Sequence, residues 1–121
     1  MNNFILLVDD EDDILALHQV VIRRFFDGPI VLAASGNAAL KRIDELGVPA
    51  IIVADYMMPD GDGLFLYDEL NRRGSAARFV LCTGTLAQAI QDKFPNAAAI
   101  IEKPKTARKL EELIPELLKR L

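Results

Sequence analysis

Residues 4–13 read Phe4-Ile5-Leu6-Leu7-Val8-Asp9-Asp10-Glu11-Asp12-Asp13, five apolar residues followed without a spacer by five acids. The apolar run is too short for a helix and lacks polar alternation. It therefore predicts a strand covered on both faces, the pattern of a parallel sheet buried between helices. Residues 30–34, 51–54, 79–82 and 97–101 form four more runs of that character. Between the runs, apolar residues recur at helical spacing: Ile14, Leu17, Val21 and Phe25; then Ala39, Leu40, Ile43 and Leu46; then Leu64, Leu66, Tyr67 and Leu70. Residues 86–93 predict a short, weakly patterned fourth helix. Residues 106–121 predict a fifth, with Leu110, Leu113, Ile114, Leu117 and Leu118 as its buried stripe. Pro115 interrupts that stripe; it removes one backbone hydrogen bond and crowds the carbonyl of Glu111, so a kink or restart is expected there.

Strands alternating with helices predict an α/β fold, a doubly wound five-stranded parallel sheet flanked by five helices. With 121 residues and no linker or low-complexity tract, the chain reads as one domain, residues 1–121. Hydrophobic residues at 51% and charged residues at 26% describe a soluble globular protein, and no apolar run approaches the ~18 to 20 residues a membrane-spanning helix needs. The N-terminus shows no basic leader, and the single cysteine, Cys82, cannot form an internal disulfide, so a reducing cytoplasm is expected. The net charge of -4 opposes direct binding to nucleic acid by this domain. The charge is uneven: residues 1–62 hold 11 acids and 4 bases, residues 63–121 hold 7 acids and 10 bases.

Open sheets of this kind bind ligands beyond the carboxyl ends of their strands, where the strand order reverses. After the first run stand the five acids from Asp9 to Asp13. Asp12 and Asp13 suit a helix N-terminus, but a cap uses only one or two carboxylates and the rest repel one another. A bound cation removes the conflict, and carboxylates with room for several waters describe a Mg²⁺ site. After the third run stands Asp55; in a sheet ordered 2-1-3-4-5 it faces Asp9 and Asp10 across the switch point, and three converging carboxylates suit metal-assisted phosphoryl chemistry. After the fourth comes Thr83-Gly84. A threonine there is commonly a helix cap, but its hydroxyl can also donate to a phosphoryl oxygen, with Gly84 leaving the approach open. After the fifth comes Glu102-Lys103-Pro104-Lys105; Lys103 supplies the point charge that a tri-carboxylate site lacks, whereas Lys105 reads as solvated.

Val8-Asp9-Asp10-Glu11, Asp55 with Met58-Pro59-Asp60-Gly61-Asp62-Gly63, Thr83-Gly84 and Lys103-Pro104, in that order at four strand ends, resemble the receiver domain of bacterial two-component response regulators. The resemblance covers the whole chain and implies a flavodoxin-like fold. It implies Asp55 as phosphoacceptor and Thr83 and Lys103 as phosphoryl contacts. It also implies Asp9, Asp10, Asp55 and the backbone carbonyl of Met57 as Mg²⁺ ligands. The implied donor is a phosphohistidine on a sensor histidine kinase or phosphotransfer protein, or a small acyl phosphate. The implied output is a surface on helix four, strand five and helix five, read by a downstream protein or output domain, with room for a phosphorylation-dependent dimer. A cis peptide at Lys103-Pro104 is implied as well.

Two positions depart from that pattern. Receivers usually carry Tyr or Phe three residues before the lysine, and here Ile100 has no ring to rotate. Met57 is bulky and apolar beside the path of an attacking water, which slows dephosphorylation. Two rival readings follow from these residues. One is an interaction module with the receiver fold but no phosphorylation, supported by Ile100. The other is an aspartate-nucleophile phosphatase, which needs Asp-x-Asp where Met57 stands. No Gly-x-Gly-x-x-Gly is present for a dinucleotide. Elsewhere, His18 reads as an exposed or partly buried side chain, Cys82 as a small buried hydrophobe, Phe25-Phe26 as one ring in and one out, and Arg72-Arg73 and Lys119-Arg120 as helix C-terminal charges.

Overall fold

The computed structural model describes residues 3–120 and contains a five-stranded parallel sheet in the order β2-β1-β3-β4-β5. The strands are β1 (Ile5–Val8), β2 (Ile30–Ala33), β3 (Ile51–Asp55), β4 (Arg78–Thr83) and β5 (Ala99–Glu102). The helices are α1 (Asp12–Arg23), α2 (Gly36–Leu46), α3 (Gly63–Arg72), α4 (Ala87–Ile90) with a 3₁₀ turn over Gln91–Lys93, and α5 (Thr106–Lys119). This is the doubly wound parallel sheet expected from the alternating runs, in the flavodoxin-like arrangement that the resemblance implied. The fifth strand begins two residues later than residue 97 because Ala97 N–H is already committed to the carbonyl of Phe94. Leu121, the last residue of the predicted fifth helix, lies outside the described residues.

Alternate strand residues face opposite helical layers. Leu6, Val8, Ile52, Ala54, Phe79 and Leu81 pack toward α2, α3 and α4. Ile5, Leu7, Ile51, Val53, Val80 and Ile101 pack toward α1 and α5. β1, β3 and β4 therefore lie covered on both sides, as their unbroken apolar runs require. The two edge strands do not fit the expectation of full burial: Leu32 of β2 is 39% exposed, and Ala99 and Ile100 of β5 are half-buried. Each edge has a neighbour on one side only, so part of its side-chain surface stays in water.

Helix α1 also differs from its predicted face. Leu15, His18, Val21 and Ile22 are buried, whereas Leu17 is 48% exposed and Phe25 39%. Ile14/Leu17/Val21 and Leu15/His18/Ile22 are both acceptable helical stripes, about 100° apart. The second is the one buried, and it leaves Asp12, Asp13, Arg23 and Arg24 exposed. Phe26 is buried and Phe25 is not, so the aromatic pair splits as expected. On α2, Ala39 and Ile43 are buried, but Leu46 is 41% exposed in the last turn. The stripes of α3 and α5 face the sheet as predicted, with Leu66, Tyr67 and Leu70 buried in one and Leu110, Ile114 and Leu117 in the other, while Leu64, Leu113 and Leu118 at their margins are half-buried. Of the kink or restart expected at Pro115, the restart does not occur: α5 is one helix through Pro115, with buried Ile114 and Leu117 holding the chain on either side of the single missing N–H.

Gly63 opens α3 directly behind the end of β3. A Cβ there would stand 2.7 Å from the Asp55 carbonyl oxygen, 2.9 Å from Leu81 Cδ1 and 3.0 Å from Tyr56 Cα. Two of those neighbours are backbone atoms that pairing holds in place, Tyr56 N–H donating to the Cys82 carbonyl and Gly63 N–H to the Tyr56 carbonyl. Gly63→Ala is therefore expected to destabilise the fold by about 1 to 3 kcal/mol, as overpacking of a tight core does. A urea titration with an unchanged midpoint would show that the backbone there yields freely.

Candidate functional site

The sheet brings the expected residues to one place. β1 pairs with β3 in register Val8↔Ala54, so Asp9 and Asp10, just past β1, emerge beside Asp55, the last residue of β3. One carboxylate oxygen from each of Asp9, Asp10 and Asp55 lies within 4.8 Å of the others. Asp9 and Asp55 are 4% and 7% exposed, while Asp10 is exposed. Lys103 follows β5, and its Nζ stands 2.7 Å from Asp55 Oδ1. The Lys103–Pro104 peptide is cis, as the resemblance implied.

The carboxylates sit under strain of charge. Burial pushes the Asp9 carboxyl up to about 6, opposed by the Glu11 N–H that donates to its Oδ1 at 2.9 Å and reinforced by Asp55. Burial works against the Lys103 charge too, but the hydrogen bond and charge of Asp55, with Asp9 behind it, hold the ammonium above its ordinary value. One cation facing three carboxylates leaves the cluster negative. Hard oxygen donors, two of them buried and one open to water, fit an ion such as Mg²⁺ that keeps part of its hydration shell.

Asp12 and Asp13 do not cap α1 through their side chains: the N-cap is Glu11, without a side-chain bond, and the two aspartates lie exposed in the first turn, where they favour only the helix dipole. Thr83 ends β4 almost fully buried, and its Oγ1 accepts the N–H of Thr85 at 2.9 Å. Since α4 begins at Ala87, Thr83 shapes the loop rather than capping the helix. Its carbonyl accepts the Lys103 N–H at 2.8 Å, which ties the fourth strand end to the fifth. Gly84 is exposed, with open space where a Cβ would be. Met57 lies in the loop after Asp55 with its side chain 73% exposed.

His18 is 5% exposed, more buried than expected, on the face of α1 that turns toward the sheet. Burial lowers its pKa, and the nearby Lys103 charge lowers it further, so it packs as a neutral ring. Cys82 is buried beside Asp55 in register, as expected.

Two sets of long-range polar contacts lie near the site that the sequence pattern did not show. Asp60 clasps the start of α2 to the loop after β3: Ser35 Oγ donates to Asp60 Oδ2 at 3.0 Å and Asn37 Nδ2 to Asp60 Oδ1 at 2.9 Å. In the same clasp, Gly36 N–H reaches the Gly61 carbonyl at 2.7 Å. Asp60 sits at φ 60° to make that turn, and the Asp60-Gly61 pair was its signal. The other is Glu102, whose Oε2 accepts the Ala87 N–H at 2.8 Å. An exposed carboxylate bonded to backbone fifteen residues away leaves no trace in local pattern.

Comparison with known proteins agrees with this arrangement. The response regulator receiver domain model matches residues 5–115. The response regulator Rre1 of Synechocystis is 29% identical over 96% of this chain and 52% of its own length. The sensor kinase CckA of Brucella abortus is 31% identical over 96% of this chain and 12% of its own. The chain thus spans about half or less of the length of these two relatives. The crystal structure of the receiver domain of NtrX from Brucella abortus superposes with a TM-score of 0.82 at 26% identity, covering 97% of this chain and 99% of that one. No helix among the described residues is long and apolar enough to cross a membrane. Matched over residues 5–115 by that family's model, the chain belongs to the response regulator receiver domain family, the signalling domains of two-component systems.

Proposed function

We propose that residues 1–121 act as one phosphoacceptor domain in the cytoplasm, receiving a phosphoryl group on Asp55 from the phosphohistidine of a sensor histidine kinase or phosphotransfer protein. The observation that carries this reading is the convergence of Asp9, Asp10 and Asp55 within 4.8 Å, with Lys103 at 2.7 Å from Asp55. An Asp55 carboxylate oxygen attacks phosphorus as the phosphorus–nitrogen bond breaks, and the electron pair leaves with the imidazole. No general base is needed, because the ionised carboxylate is already the nucleophile. Lys103 balances charge on the phosphoryl oxygens, and the Thr83 hydroxyl donates to one of them once Asp55 is modified. Asp9, Asp10, Asp55 and the Met57 carbonyl would hold Mg²⁺, which when bound supplies further neutralisation of the transferring group.

The domain is a conditional binding module rather than a turnover enzyme. Met57 stands exposed where an aspartate-nucleophile phosphatase needs its second aspartate. A hollow of about 460 Å³ between β5 and α5, lined by Ile100, Glu102, Lys109 and Leu113 among others, supports an output face there for a downstream protein, an output domain or a second phosphorylated copy. Ile100 packs half-buried against the core under α4, so that face responds without a rotating ring. The negative net charge argues against direct nucleic-acid contact by this domain.

Incubation with a small acyl phosphate and Mg²⁺, followed by intact mass, tests the reading: one added phosphoryl group is expected. No addition from an acyl phosphate or from a phosphorylated kinase would favour the phosphorylation-independent module instead.

The pKa of Asp9 adds a pH signature. Its folded value, about 6, lies above its unfolded one, so the metal-free fold binds this proton more tightly than the unfolded chain does. Through this group alone, metal-free stability rises as pH falls from about 7 toward 4. Mg²⁺ needs the ionised form, so the increase in melting temperature that it confers is expected to shrink over the same interval, its affinity falling up to roughly ten-fold per unit below pH 6. Melting curves with and without Mg²⁺ at pH 7.5 and 5.5 check this. An increment that is as large at pH 5.5 would place the ion away from Asp9.

A further inference from the structure

We propose that Glu102 is the residue through which the state of the phosphoacceptor site reaches α4, a positioning residue outside the phosphoryl chemistry. The proposal rests on the reading of Asp55 as phosphoacceptor. Glu102 and Lys103 are consecutive and reach in different directions from one strand end. Lys103 extends to Asp55 at 2.7 Å, and Glu102 extends to the Ala87 N–H at 2.8 Å. The Lys103 N–H also holds the Thr83 carbonyl, so a change at Asp55 that shifts the ends of β4 and β5 shifts the backbone on which Glu102 is mounted.

The other end of the link is unusually dependent on it. α4 has four residues, its N-cap residue Leu86 makes no side-chain cap bond, and its first N–H is the one Glu102 accepts. A helix of one turn has little hydrogen bonding of its own, so an external carboxylate at its N-terminus matters more than on a long helix. Gly84, Thr85 and Leu86, between Thr83 and α4, are all exposed, and Leu86 is 66% exposed. That loop is fixed to β5 at both ends: Lys103 N–H bonds the Thr83 carbonyl, and Glu102 bonds Ala87. Within it, Thr83 Oγ1 holds the Thr85 N–H. Turning Thr83 toward a phosphoryl oxygen strains or frees that bond, and the loop must pivot about its attachment at Glu102. The bond is solvent-exposed and individually weak, which suits a contact that has to be remade in a new position.

Amide exchange over residues 83–94, in the free protein and with Mg²⁺ and beryllofluoride as phosphoryl mimic, tests the link in the wild type, Glu102→Ala and Glu102→Gln. In free Glu102→Ala, exchange in α4 is expected to rise about five-fold, the loss of one cap. The beryllofluoride-induced change should vanish from residues 87–93 while persisting at Thr83–Thr85. Glu102→Gln, which keeps the accepting oxygen, should retain most of the response. An α4 response in Glu102→Ala equal to that of the wild type overturns this proposal alone. A wild type that shows no response to beryllofluoride at Thr83–Thr85 overturns the reading of Asp55 itself, and the link with it.

Discussion

Asp55→Ala is expected to take up no phosphoryl group from an acyl phosphate under conditions in which the wild type takes up one. The effect should be all-or-none, because the other carboxylates are placed differently. Asp10 is exposed and outside the Lys103 contact; Asp9 is buried, and its Oδ1 accepts the Glu11 N–H. Neither has a lysine at 2.7 Å, as Asp55 does. Intact mass after a fixed incubation with donor and Mg²⁺ reads the outcome. Equal labelling of Asp55→Ala would move the acceptor elsewhere and leave the tri-carboxylate cluster with an ion-binding role alone.

Lys103→Ala should separate two properties that a simple loss of the site would lower together. Labelling is expected to slow about one hundred-fold, the usual scale for removing one preorganised charge or donor from a transferring oxygen. Mg²⁺ should bind about ten-fold more tightly, because the ammonium at 2.7 Å from Asp55 competes with any cation for the same carboxylates. Titration by melting temperature gives the affinity and mass spectrometry gives the rate. If both fall, Lys103 holds the site's shape rather than its charge.

The features legible in the sequence were those that depend on residue type at a chain position. Five apolar runs gave five strands, and the residues that follow them, Asp9, Asp55, Thr83 and Lys103, gave the site, because a parallel sheet delivers every strand end to the same rim. What stayed hidden depends on choices between near-equal alternatives or on partners far along the chain. α1 could bury Leu17 or His18 with similar periodicity, and only the surface it packs on decided it. Edge exposure at Leu32 and Ile100 follows from a neighbour on one side only, and the apolar runs of β2 and β5 look no different from those of the central strands. The restart expected at Pro115 was read from the bond it removes and not from the burial of Ile114 and Leu117 that carries the helix across it. Glu102 and the Ser35–Asn37–Asp60 clasp are long-range polar contacts with no periodicity to betray them.

Cys82 lies beside Asp55 in the sheet, so a sulfur nucleophile neighbours what would be a reactive mixed anhydride. Burial, aided by the Asp55 charge, pushes its pKa to about 12. At neutral pH it is therefore a protonated thiol, which does not cleave acyl phosphates. The same two properties make it a chemical clock. Cys82 is covered by the α1 and α5 layer, so a thiol reagent reaches it only when that cover opens; the alkylation rate counts those openings, and a ligand that braces the strand ends is read as a slower clock.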